Sequence, residues 1–161
     1  MPDRGPGMEE SLDPASRRLL SLLQEDATRP LRELGERAGM SQSAVWRRVQ
    51  ELEAAGLITA RVALIDPWRA GFAVAVIVQV NLRGHAPETR AAFEAFVRGA
   101  GEIQQCHAVT GPHDYTLLVR ARSVADYERF LMQRLLAHPS VASAQSNIAL
   151  REIKNSTRLP L

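Results

Sequence analysis

Side chains that can contact DNA bases and phosphates are concentrated in one short segment, residues 41–50. Val45, Val49 and Leu52 recur there at positions i, i+4 and i+7, which predicts a helix that buries this stripe. Glutamine can pair bidentately with adenine, and arginine with guanine, so the outer faces of such a helix are suited to the major groove. The candidate DNA contacts on those faces are Ser41, Gln42, Ser43, Trp46, Arg47, Arg48 and Gln50.

These candidates have different expected roles. Gln42 and Ser43 stand at the start of the helix and are expected to reach base edges. Arg47 and Arg48 are the candidates for phosphate contacts, and Arg47 is also expected to contact a base. Ser41 caps the helix, whose free N–H groups can bind a backbone phosphate.

Two further helices are needed to position this one. Asp13 caps a first helix, and a second is predicted over residues 31–38. Gly39 allows a tight turn before the third helix, because glycine tolerates a positive φ. Three short helices with such a turn indicate a helix-turn-helix. After Gly56, residues 57–65 are typical of short strands, a wing or a linker.

Two alternatives stay open for this region. Trp46 either packs on the second helix or touches DNA, and a tryptophan is equally compatible with both roles. The whole segment is also compatible with an ordinary three-helix domain whose arginines are merely solvated.

The spacing at which apolar residues recur along the chain changes after the Asp66-Pro67 turn. Residues 73–80 are rich in β-branched side chains and predict a buried strand. The remaining pattern gives the order strand–helix–strand–strand–helix–strand, which is that of a ferredoxin-like fold. We therefore expect an α+β protein, with an N-terminal helix-turn-helix (winged-helix-like) domain and a ferredoxin-like βαββαβ domain after it.

Composition excludes several classes of protein. The chain has 161 residues, 45% of them hydrophobic, and a formal net charge of +2. No apolar run is long enough to cross a membrane, and residues 1–11 predict a disordered leader, not a secretory signal. Cys106 is the single cysteine, so an internal disulfide is impossible. The histidines lack zinc-site spacing, and no catalytic or nucleotide-binding motif is present, so no catalytic residue, metal or cofactor is predicted. We expect a cytoplasmic protein.

Several stretches resemble the Lrp/AsnC (leucine-responsive/asparagine regulator, feast–famine) family of transcription regulators. They are LRELGERAGMSQSAVWRRVQELEAAGLI (31–58), ALIDP (63–67), IQQCHAVTGPHDYTLLV (103–119) and EIKNSTRLPL (152–161). The resemblance covers residues 12–161. It implies a DNA-binding domain over residues 12–60, a linker over 61–72, and an effector-binding and oligomerising RAM domain (regulation of amino acid metabolism) over 73–161.

The resemblance also implies partners. Members of the family dimerise through their second-domain sheets, often form octamers, bind double-stranded DNA as dimers, and bind amino acids in clefts between dimers. The matching effector residues here are Gly111, His113, Asp114, Tyr115 and Ser146, with Asp114 accepting the ligand's ammonium group. Relatives often carry Thr-x-Thr where this chain has Ala144 and Ser146, so the effector is not assumed to be leucine. A plain hairpin turn without a ligand is the alternative.

The predicted function is therefore a sequence-specific transcription regulator that responds to a small metabolite, such as an amino acid. An architectural protein that compacts DNA is the first alternative. An enzyme is the second, because some proteins that resemble sirohaem decarboxylases share this two-domain plan. The intact DNA-binding helix disfavours an enzyme.

Overall fold

The computed structural model describes residues 12–161, and the predicted leader lies outside them. Packing divides the chain into two units. One extends to Ala63 and also includes Lys154–Leu161, and the other is Leu64–Ile153. Each unit has its own cluster of buried apolar side chains. The C-terminal tail therefore packs with the first unit, although it follows the second along the chain.

Three α-helices form the first unit. They are α1 (Pro14–Glu25), α2 (Leu31–Ala38) and α3 (Gln42–Ala54). Asp13 caps α1, because its Oδ1 accepts hydrogen bonds of 3.0 Å from the N–H groups of Ala15 and Ser16. Leu19, Leu34, Val45 and Val49 form the buried cluster between the helices.

No strand follows α3 between residues 57 and 73. The predicted short strands are therefore absent from this segment. The side chains of Val62 and Leu64 are exposed, and Arg61 pairs with Glu53 at 2.6 Å. Within residues 12–161 every strand belongs to one sheet of the second unit, so this segment has no strand beside it to complete a ladder.

The second unit contains a four-stranded antiparallel sheet and two helices. Its elements are β1 (Val74–Leu82), α4 (Pro87–Gly99), β2 (Ile103–Ala108), β3 (Tyr115–Ala121), α5 (Val124–Phe130) and β4 (Val141–Ile148). The strand order is β2-β3-β1-β4, which confirms the ferredoxin-like arrangement. A π-helical turn at Leu131–Leu135 continues α5.

Alternation along β1 separates the two faces of this sheet. Val76, Val78 and Val80 are fully buried in the same cluster as Phe93 of α4. Ile77 lies on the opposite face and is 38% exposed. The helices α4 and α5 therefore cover one face of the sheet and leave the other uncovered by this unit's own helices.

Candidate nucleic-acid interface and ligand site

The outer face of α3 is available to a large partner. The Ser41 hydroxyl caps this helix by accepting a hydrogen bond of 3.2 Å from the Ala44 N–H, as predicted. Burial of Val45 and Val49 turns Trp46 outward, where its side chain is 58% exposed. Trp46 lines an open groove with Leu31, Gln42 and Ser43.

Arg47 and Gln50 have only weak partners on this face. The Arg47 side chain is 72% exposed, and its Nε lies 3.8 Å from Glu51 Oε1. Gln50 donates a hydrogen bond of 3.0 Å to Glu53 Oε2 at the surface. Exposed pairs of this kind contribute little to stability, so both side chains can exchange them for a nucleic-acid partner.

Arg48 differs from its neighbour. Its Nη1 donates to Asp13 Oδ2 at 2.7 Å and to Ser16 Oγ at 3.1 Å. Hydrogen bonds from Ser16, with a smaller contribution from Arg48, hold the pKa of Asp13 below its usual range. Arg48 therefore connects the start of α1 to α3, which favours a role in positioning the helix over a direct phosphate contact.

Gly35 also positions α3, although it was not among the residues predicted from the sequence. A Cβ on Gly35 would lie 2.6 Å from the Met40 carbonyl oxygen, well inside any normal contact. The Gly35 carbonyl accepts a hydrogen bond of 2.9 Å from the Met40 N–H. The turn between α2 and α3 therefore passes directly over this residue. A glycine inside a helical stretch was the available indication of such a close approach.

In the second unit, Asp114 holds together the end of β1 and the β2–β3 turn. Its Oδ2 accepts a hydrogen bond of 2.8 Å from the Leu82 N–H, and its N–H donates to the Val80 carbonyl at 3.0 Å. Its Oδ1 lies 3.5 Å from His85 Nδ1. Gly111 in the same turn has a φ of 115°, which explains the glycine there.

A cavity of about 460 Å³ lies beside this turn, with Asp114 and Tyr115 in its lining. Arg90 and Glu94 of α4 line it from the other side. The Tyr115 hydroxyl donates to Glu94 Oε1 at 3.2 Å, and burial, followed by the nearby Glu94, raises the pKa of Tyr115. The cavity thus offers both carboxylates and a guanidinium, which suits a zwitterionic ligand.

The other predicted effector residues do not line this cavity. Ser146 faces α5, where its hydroxyl hydrogen-bonds with that of Tyr127. His113 has a buried Nδ1 without a hydrogen-bond partner in residues 12–161. Within one chain, then, two of the five predicted residues come together. His85, Arg90 and Glu94 are further polar residues of the lining, and no motif pointed to them because they come from a different part of the chain.

From residue 12 onward, no three His, Cys, Asp or Glu side chains are grouped so as to hold a metal ion. In the same residues, no helix has both the length and the apolar character needed to cross a membrane.

Comparisons with known proteins agree with both units. The AsnC-type helix-turn-helix domain matches residues 12–53, and the Lrp/AsnC ligand binding domain matches residues 75–159. The chain is 34% identical over 154 residues to the glutamate uptake regulatory protein of Zymomonas mobilis, covering 96% of this chain and 93% of the relative. It is 34% identical over 150 residues to the leucine-responsive regulatory protein of Escherichia coli, covering 93% and 92%.

Solved structures give the same result. A transcriptional regulator from Neisseria meningitidis, crystallised as an L-Met complex, superposes with a TM-score of 0.89 at 35% identity. The match covers 93% of this chain and 97% of that one. An AsnC family regulator from Agrobacterium tumefaciens gives a TM-score of 0.88 at 33% identity, covering 92% and 96%.

Proposed function

The chain belongs to the Lrp/AsnC family of transcription regulators, and from that membership we propose how it contacts DNA. The outer face of α3 enters the major groove, with Gln42, Ser43 and Arg47 at base edges. Ser41 and the helix N-terminus bind a phosphate, while Trp46 and Gln50 contact the flanking backbone. Arg48 supports this surface by holding α3 against α1. These roles fall within residues 12–60, the proposed DNA-binding domain.

One observation carries this proposal. The buried stripe of α3 is complete, yet the opposite face carries an aromatic ring that is 58% exposed and an arginine that is 72% exposed. Tryptophan is highly buried on average, so a ring this exposed beside an exposed arginine suits a surface that a partner covers. A capped helix with a free polar and aromatic face suits DNA.

The second unit is proposed to bind an amino acid in the cavity beside Asp114. Asp114 would accept the ligand's ammonium group, and Arg90 would pair with its carboxylate. The bound L-Met of the Neisseria meningitidis regulator supports this class of ligand. Gly111, His113 and Ser146 would contribute where a second copy of the chain completes the cleft.

We further propose a homodimer that assembles into a higher oligomer, such as an octamer, in the cytoplasm where its DNA lies. The sheet face that carries Ile77 is the proposed dimer surface, because neither α4 nor α5 covers it. Residues 61–72 would link this RAM domain, residues 73–161, to the DNA-binding domain. A dimer presents two copies of α3, which favours near-palindromic operators.

The ligand would act through the oligomer. It can shift the equilibrium between two arrangements only by its difference in affinity for them. An amino acid bound between subunits would change the distance between paired copies of α3, and thus operator affinity. The same coupling requires that operator DNA change the affinity for the amino acid.

Fluorescence anisotropy tests this function. The full chain is titrated against labelled DNA from upstream of its own gene and against a scrambled duplex, with and without twenty amino acids. We expect tighter binding to the upstream DNA, altered by the amino acids. Equal affinity for both duplexes, governed by salt, would instead indicate an architectural protein. Failure to bind either duplex would contradict the proposal.

A further inference from the structure

A second cavity in the Leu64–Ile153 unit is unusually rich in arginine. It has a volume of about 350 Å³ and lies where β3 ends beside α5. Phe72 and Phe130 give it two aromatic walls, and Gln133 adds an amide. The charged residues of its lining are Glu102, Arg120, Arg122, Asp126, Arg129 and Arg134. None of these side chains has a role in the function proposed above.

Three of the four arginines are already neutralised. Arg120 pairs with Glu152, which lies outside the cavity lining. Arg129 Nη1 lies 3.0 Å from Asp126 Oδ1. Arg134 Nη1 donates to both carboxylate oxygens of Glu102, at 2.5 Å and 2.6 Å.

Arg122 is the exception. Its guanidinium lies over the Phe72 ring, 5.4 Å from the centroid, and it forms no ion pair with any carboxylate of residues 12–161. The lining therefore holds one arginine that is free to bind an anion. A guanidinium already stacked on a ring is held in place, so less side-chain freedom is lost when a carboxylate binds it.

The charge balance of this cavity favours a simple anion over a zwitterionic amino acid. Its four arginines are matched by only three carboxylates, Glu102, Asp126 and Glu152, so a positive charge remains. The aromatic walls favour an apolar body, and the volume is at the lower end for small-molecule sites. We propose that this cavity binds a small carboxylate with an apolar body and no ammonium group, the class that includes 2-oxo acids.

The site would thus recognise the carbon skeleton of an amino acid without its amino group. It is separate from the cavity at Asp114, and the proposal does not depend on the amino acid response. Its probe is 4-methyl-2-oxopentanoate, which differs from leucine in carrying an oxo group in place of the ammonium. Inorganic phosphate tests whether charge alone is sufficient.

Isothermal titration of the full-length protein tests the proposal. We expect the oxo acid to bind, and Arg122→Met to weaken it by about tenfold or more, because a charge-assisted contact is lost. Arg122→Lys keeps the charge without the planar fork and should bind with intermediate affinity. Arg69→Met is the control, since Arg69 is 90% exposed and lies outside the cavity lining.

Several outcomes would overturn the site. These are no oxo acid binding at millimolar concentration, equal binding by Arg122→Met and the parent chain, or equal competition by phosphate. Leucine binding that Arg122→Met weakens to the same degree would overturn the selection against ammonium. The oxo acid could bind at Arg122 while no amino acid changes the protein's affinity for DNA. That result would support this site and reject the proposal of an amino acid effector.

Discussion

The DNA-binding face of α3 and the cavity beside Asp114 are built in opposite ways. On α3 the important side chains come from one helix, and they remain exposed or weakly paired, as Arg47 does. Around the cavity the important side chains come from β1, α4 and the β2–β3 turn. They already form hydrogen bonds within the fold when no ligand is bound. Asp114 is held by the Leu82 N–H, and Glu94 by the Tyr115 hydroxyl.

This difference determines what a substitution does in each region. A residue exposed on α3 can be changed with little effect on folding, so its loss acts on DNA affinity alone. A residue at the cavity supports both the fold and the ligand, so the two effects must be measured separately.

Gly35→Ala should have the largest effect, because its Cβ would meet the Met40 carbonyl oxygen at 2.6 Å. The turn before α3 must then move. We expect a loss of about 1–3 kcal/mol in the free energy of unfolding, which is typical of overpacking. Operator binding should be lost as well, since the face of α3 is no longer presented correctly. Denaturant unfolding and anisotropy measure the two effects.

Gly99→Ala is the matched control. Gly99 ends α4, and a Cβ there would meet no atom within 4 Å. This variant should be as stable as the parent chain, or more stable by about 0.4–1 kcal/mol, because the unfolded chain loses freedom. If both alanine variants behaved alike, the close approach at Gly35 would not be what shapes the turn.

Arg47→Ala should lower operator affinity by about tenfold to a hundredfold, the effect of losing a base or phosphate contact. Stability and oligomer size should not change, because the side chain is 72% exposed. Arg32→Ala on α2 is the control, since Arg32 is 83% exposed and lies outside the proposed interface. A normal operator isotherm for Arg47→Ala would remove our assignment of the DNA-binding face.

At the cavity, Asp114→Ala and Asp114→Asn should separate folding from ligand binding. The alanine variant leaves the Leu82 N–H without its acceptor and should lose about 1–2 kcal/mol of stability. Asparagine keeps an acceptor oxygen and should retain most of that stability. Both variants lose the negative charge, so both should lose the amino acid response while still binding DNA. An unchanged response in the asparagine variant would place the ligand elsewhere.

The same contrast explains how much the sequence could predict. The helix pattern identified α3 and its exposed face, because a 3.6-residue period specifies both faces of a helix at once. The β-branched composition of residues 73–80 identified the first strand of the sheet, and the order of elements limited its topology. The lining of the cavity was not predictable in this way. His85, Arg90 and Glu94 meet Asp114 only after the sheet has formed, and nothing local marks them.

Hydrogen bonding within the fold was the second obstacle. Arg48 has the same residue type as Arg47 and is adjacent to it, so both were expected to contact phosphate. The rotation of one residue along a helix directs Arg48 toward Asp13 and Ser16 instead. Ser146 was likewise expected at the ligand, but its hydroxyl pairs with that of Tyr127. Residue type therefore indicated which groups could act, and packing decided which of them were free.

The two units also differ in how they shift the pKa values of acidic groups. Cys106 offers a test of this difference, although the expected effect is small. Hydrogen bonds lower the pKa of Asp13 and Asp26 in the first unit, which favours their charged forms. In the second unit, burial and then Glu94 raise the pKa of Cys106 to about 11. Alkylation by iodoacetamide should therefore be slow at neutral pH and accelerate until the pH approaches that value, because only the thiolate reacts.

The sign of the linked stability effect follows from the same shift. Between the ordinary thiol pKa of 9.0 and about 11, the unfolded chain releases its proton before the folded one. The contribution of Cys106 to stability should thus fall with rising pH across that window. Cys106→Ala should remove this part of the pH dependence. Glu94→Gln should lower the thiol pKa only slightly, since burial is the larger cause. A thiol that reacts equally fast in folded and urea-unfolded protein would show that burial does not protect it.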